Sequence, residues 1–108
     1  MDEKYPNVSE AAANMKMGES APVNIPVQML AVTDRNGRLT PIWFRFETSD
    51  HLIQKVSIEK TISRDESRYV GVWEKRFICS AVFEDRRRLM ELRYHVESQK
   101  WRIFQFLS

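Results

Sequence analysis

Three runs in the last third of the chain alternate apolar and polar residues with a period of two, separated by short polar breaks. Arg76–Phe83 sets Phe77, Cys79, Ala81 and Phe83 on one parity. Leu89–Val96 sets Met90, Leu92, Tyr94 and Val96 against Glu91, Arg93 and His95. Trp101–Leu107 follows the break Glu97-Ser98-Gln99-Lys100. A period of two marks a strand with one buried face, because successive side chains point to opposite sides of a sheet. Three such strands joined by breaks this short predict an antiparallel meander.

The middle of the chain extends the pattern. Ile25–Thr33 is apolar and β-capable. Asp34-Arg35-Asn36-Gly37-Arg38 then supplies an Asn-Gly pair, which tolerates positive φ and signals a hairpin. Leu39–Glu47 places Ile42, Phe44 and Phe46 on the expected core face, with Trp43, Arg45 and Glu47 opposite. Thr48-Ser49-Asp50 is turn chemistry. His51–Glu59 is a third strand with Leu52, Val56 and Ile58 inward. Thr61–Ser67 (TISRDES) is a largely polar run expected to be a connection, with one helical turn as the alternative, followed by a short β-rich stretch, Tyr69–Trp73.

The last run, Trp101–Leu107, is apolar on both parities. Trp101, Ile103 and Leu107 share one, and Phe104 and Phe106 share the other. A strand apolar on both faces is expected to be covered on both. A small closed barrel covers one side, and the N-terminal tail or a partner chain is left to cover the other. The fold expected is therefore all-β: a small antiparallel barrel or strongly curled sheet of five or six strands over residues 25–108. Residues 1–24 show no sustained period. They are expected to be a flexible polar tail, with Asp2, Glu3, Glu10 and Glu19 against Lys4 and Lys16.

Composition closes several functional classes. No apolar run approaches the roughly 20 residues of a membrane helix, and the N-terminus lacks the apolar core of a secretory signal. The expected location is the cytoplasm. A single cysteine, Cys79, excludes a disulfide within the chain. His51, Cys79 and His95 fall at no metal-ligand spacing. Cys79 shares its parity with Phe77 and Phe83 and reads as a small core residue rather than a nucleophile. The adjacent acids Asp65-Glu66 and Glu84-Asp85 sit in expected loops, where carboxylates are solvated rather than tuned for acid–base work. Three glycines form no phosphate cradle. No cofactor, no metal and no catalytic residue are expected.

The order of residues carries one resemblance. A strand, the Asp34-Arg35-Asn36-Gly37 turn, Pro41-Ile42-Trp43-Phe44-Arg45-Phe46, a valine-containing strand, Glu91-Leu92-Arg93-Tyr94 and a closing Trp101-Arg102-Ile103-Phe104 follow in turn. This resembles a group of short uncharacterised bacterial proteins, mostly from Firmicutes, with a small β domain of unknown function. Some similar proteins are encoded beside error-prone DNA polymerases. The resemblance implies a small β fold and transfers no site.

What remains is surface chemistry. Trp43, Arg45, Arg93, His95, Arg102, Phe104 and Phe106 are the candidate interaction residues, with Arg86, Arg87, Arg88 and Lys100 in the flanking turns. An outward row of aromatics with arginines is the composition of protein interfaces. The expected function is a non-enzymatic interaction module working through its C-terminal strands, as a homodimer or with a protein partner. The alternative is an accessory nucleic-acid-binding barrel associated with DNA repair, in which bases stack on the aromatics. The net charge of +2 is small for the latter.

Overall fold

A computed structural model describes residues 22–47 and 50–108. Six strands follow one another: β1 (Pro22–Thr33), β2 (Leu39–Glu47), β3 (Ile53–Tyr69), β4 (Val72–Phe83), β5 (Arg86–His95) and β6 (Lys100–Phe106). Each pairs antiparallel with the next, and β6 returns to pair with β1, so the sheet is a closed barrel. Closure leaves no outermost strand, and the period-two faces of all six strands turn toward one interior. The expected all-β barrel is what forms. β1 begins at Pro22, so residues 22–24 of the expected tail belong to a strand. The rest of that segment, and Thr48 and Ser49 of the expected turn, lie outside the described residues.

The turns follow their local chemistry. Asp34 accepts the Asn36 and Arg38 amides on its carboxylate, and Gly37 takes a φ of 84°. Two-residue turns at Val70-Gly71 and Glu84-Asp85 hold all four residues at positive φ. That geometry matches the right-handed twist of the flanking strands. Val70 is unusual there, because a β-branched residue at a φ of 48° is strained.

The core is a single cluster. Ile25, Phe44, Phe46, Val56, Phe77, Cys79, Ala81, Phe83, Met90, Leu92, Ile103 and Phe106 are buried, with Val27 and Trp101 at its margin. Tilted ring pairs, Phe46 on Phe83 and Phe83 on Phe106, run through it with centroids 6.1 and 6.3 Å apart. Arg88 lies over Phe106 and donates through Nε to the Ser108 carbonyl at 2.6 Å.

Bulges explain where the alternation misleads. On β6, Glu91 pairs with Gln105 and Leu92 with Ile103, which leaves Phe104 as an extra residue. The extra residue reverses the parity, so Trp101, Ile103 and Phe106 all point inward. The run is therefore apolar on both parities without being covered on both faces. Phe106, expected on the outward face, is fully buried in the core. On β2 the extra residue is Ile42, between the Leu30–Trp43 and Ala31–Pro41 pairs. It is exposed, and Pro41 takes the core position instead. Leu52 precedes β3 and is 65% exposed, contrary to its expected core place. Thr61–Ser67, expected as a connection, is the continuation of β3, a 17-residue strand. β4 correspondingly starts at Val72 rather than Arg76.

Phe106→Ala is expected to cost about 3–5 kcal/mol, as for other buried aromatics cut to alanine. Phe104→Ala should cost about 1 kcal/mol or less, the worth of a surface cation–π contact. Urea unfolding midpoints of the two variants check this, and equal losses would contradict the bulge.

Candidate functional site

The interior is occupied by the aromatic and aliphatic side chains of the core cluster. Every buried side-chain nitrogen or oxygen among the described residues has a hydrogen-bond partner. No group of three His, Cys, Asp or Glu residues stands ready for a metal among them. Cys79 is buried, with its Sγ 3.7 Å from the Thr61 hydroxyl, and burial pushes its thiol above the usual range. His51 lies 3.7 Å from Glu47 just before β3. His95 closes the β5–β6 turn, where its Nδ1 accepts the Ser98 amide and meets the Ser98 hydroxyl at 2.8 Å. The meander carries these two histidines to opposite ends of the barrel.

The candidate surface residues divide into two groups. Arg93, Arg102 and Phe104 meet on the outer face of β5 and β6. The Arg93 guanidinium stacks 3.4 Å from the Phe104 ring centre, and Arg102 lies 5.6 Å from the same ring. Glu74 of β4 accepts from both arginines, and Glu91 pairs with Arg93 at 2.6 Å and accepts from Gln105. The hydrogen bond from Arg102 holds the Glu74 carboxyl below its ordinary 4.5, against a smaller opposing effect of burial. The arginine charges on this face are thus met by carboxylates of the same chain. Trp43 and Arg45 are elsewhere. Lys55 sits over the Trp43 ring at 4.6 Å, and Arg45 bonds Gln28 across the β1–β2 pair. In a ring of six strands, β2 and β5 are diametrically opposed, so these residues and Arg93 share no surface.

The sequence reading missed a different site, at the end of the barrel that holds the β1–β2 and β3–β4 turns. β2–β3 pairing stops at Trp43–Ser57, yet β3 runs on to Tyr69 with only β4 beside it. The two hairpins splay apart, and Arg64 spans the gap. Its guanidinium donates to the Leu39 carbonyl at 2.8 Å and to the Thr40 hydroxyl at 3.4 Å, and lies over Phe77. A cavity of about 210 Å³ opens here, lined by Arg38, Leu39, Arg64, Asp65, Glu66, Lys75 and Phe77.

The carboxylates lining the cavity are already engaged. Asp65 takes a two-pronged bond from Arg76, at 2.7 and 3.0 Å. Glu66 accepts the Trp73 indole N–H. Nearby Asp34 caps its own turn; the Arg38 amide is the chief reason its carboxyl lies below 3.8, and the Arg38 and Arg64 charges lower it further. No carboxylate pairs with Arg38, Arg64 or Lys75 among the described residues. Beyond the cavity the arm ends in bare apolar residues, with Tyr69 76% and Val70 84% exposed. Such a strand has no core face, so a period-two search passes over it; the polar run Thr61–Ser67 carried no other signal.

Two outcomes test this description. Glu74 has a depressed folded pKa, so the stability it contributes is present above pH 4.5 and lost as pH falls below that value. Glu74→Gln should lower stability by about 1–2 kcal/mol at pH 7, by leaving two arginines facing one ring. Its stability should then fall less steeply than the parent's below pH 4.5, as followed by urea unfolding across pH. Cys79, neutral and enclosed, should resist a maleimide in the native protein and react within minutes in urea; rapid native labelling would place it at the surface.

No helix long and apolar enough to cross a membrane occurs among the described residues. Comparison with protein-family models, with curated proteins and with solved structures finds no match to this chain.

Proposed function

We propose that the chain is a non-enzymatic protein-interaction module that docks through the open side of β3 and the exposed turn in which β3 ends. The supporting observation is the stretch Ile58–Tyr69, which has β4 on one side and no strand on the other among the described residues. A strand edge with free N–H and C=O groups is a ready template for another chain.

The edge is also guarded. Glu59 and Ile62 are bulged out of the β3–β4 ladder, which breaks the regular pattern on the lower part of the arm. Charged residues follow, as on natural edges that avoid indiscriminate pairing. Regular backbone remains from Ser63 to Tyr69. The tip adds apolar surface at Tyr69, Val70 and Val72. Val70 holds a strained backbone where no packing rewards it, and strain of about 1–3 kcal/mol tends to be kept at working sites.

The working surface thus moves from the C-terminal strands to the β3–β4 arm, because Phe106 is in the core and Phe104 lies beneath Arg93. The nucleic-acid reading is weaker. Arg93 and Arg102 are held by Glu74 and Glu91 and are not free to meet phosphates.

A photocrosslinking side chain placed at Tyr69 should give a discrete protein adduct in cells, whether with another protein or with a second copy. The same group at Trp43, across the barrel, should give none. Excess unlabelled protein should compete the adduct away. Adducts with nucleic acid, or equal protein adducts from both positions, would overturn the proposal.

A further inference from the structure

We infer that the segment received by β3 is an extended, acidic stretch of polypeptide that pairs along Ser63–Tyr69 and places a carboxylate in the cavity between the two hairpins. The inference rests on the interaction-module reading and adds the chemistry of the partner.

The backbone sets the pairing. The two-residue turn at Val70-Gly71 makes Tyr69–Val72 the hydrogen-bonded pair that closes the hairpin. Counting back by twos, Ser67 and Asp65 also turn their N–H and C=O groups toward β4. Arg64, Glu66 and Arg68 therefore direct theirs to the open side. The Trp73 carbonyl accepts the Val96 amide from the β5 side, as this phase requires for the residue opposite Arg68. An extended chain laid along the edge finds donors and acceptors at every second residue, which is the spacing of strand addition.

The side chains set the charge. Arg64 shares its face of the sheet with Phe77, and that face forms the cavity wall. Arg38 and Lys75 converge on the same space from the other hairpin and from β4. Among the described residues none of the three is in an ion pair, although Glu66 stands across the ladder from Lys75 and the Asp34 carboxylate feels the charges of Arg38 and Arg64; Asp65 and Glu66 are bonded to Arg76 and Trp73. Arg68 lies over Trp73, 3.7 Å from the ring centre, on the same face of β3 as Arg64 with Glu66 between them. Arg64 is already immobilised by Leu39 and Thr40 and uses only part of its five donors there. Binding an anion costs it little further ordering. A cavity of about 210 Å³ lies below the ~300–1,000 Å³ of drug-sized ligand sites and suits one side chain.

The test is fluorescence anisotropy with the full chain and three labelled probes: an eight-residue peptide alternating Val and Glu, its Val–Lys counterpart, and a twelve-residue oligothymidine. The Val–Glu peptide should bind saturably and weaken as salt rises. Arg38→Ala with Lys75→Ala should weaken it about tenfold while the thermal midpoint stays within a few degrees of the parent's. Hydrogen exchange with the peptide bound should slow at the Arg64, Glu66 and Arg68 amides and stay unchanged at Asp65 and Ser67. Tighter binding by the Val–Lys peptide or the oligothymidine overturns the inference. So does saturable binding that ignores the double substitution, slowing without that alternation, or the absence of acidic-peptide binding. If these fail while the Tyr69 crosslink persists, the interaction module stands and only the acidic partner falls. If both fail, both readings fall.

Discussion

Pairing of the first strand with the last is the constraint on which the remaining structure depends. Ile25 opposite Ile103 and Val27 opposite Trp101 close the ring, and only then does every inward parity face a common interior. A ring this small needs strands that bend sharply. The extra residues on β2, β3 and β6, together with Asn24 at a φ of 50° where β1 meets β6, supply the bends. Each bulge also resets which side chains point inward. Curvature and core composition are therefore one decision here, and Phe106 belongs to the core because Phe104 does not.

Closure is incomplete at one end of the barrel. The β2–β3 seam ends at Trp43–Ser57, from where β2 goes on to Leu39 beside β1 and β3 goes on to Tyr69 beside β4. The surplus length cannot join the ring and continues with β4 as a two-stranded arm. A two-stranded ribbon is weakly held on its own. This one is stiffened by the Asp65–Arg76 pair, the Glu66–Trp73 bond and Arg68 on Trp73, and tied to β2 through Arg64. The ties leave the open side of β3 with no strand beside it among the described residues.

Charge divides the surface in the same way. On β4–β6 the arginines stand beside carboxylates and an aromatic ring, and the face is electrostatically closed. At the splayed end the acids bond to neighbours outside the cavity, and the cations around it are in no ion pair among the described residues. The modest charge of the whole chain conceals this separation, because equal numbers of paired charges add nothing to a local field.

The sequence by itself determined that the chain makes strands, where four of the turns fall, and most of the core: the alternation of Phe44 with Phe46, of Phe77 through Phe83, and of Met90 with Leu92 needs only a period of two. It also determined that Cys79 would be enclosed, from its parity alone. The tertiary structure decided the fates of Ile42, Phe104 and Phe106, because a bulge is a mismatch in residue count between two strands and neither strand records it separately. It decided too that Thr61–Ser67 is a strand, since an arm beyond the barrel has no buried face to impose alternation. Finally, it decided which charges are paired: Arg93 and Lys75 look alike along the chain, yet Arg93 forms ion pairs with Glu74 and Glu91, while Glu66, directly across the ladder from Lys75, turns its carboxylate to the Trp73 indole.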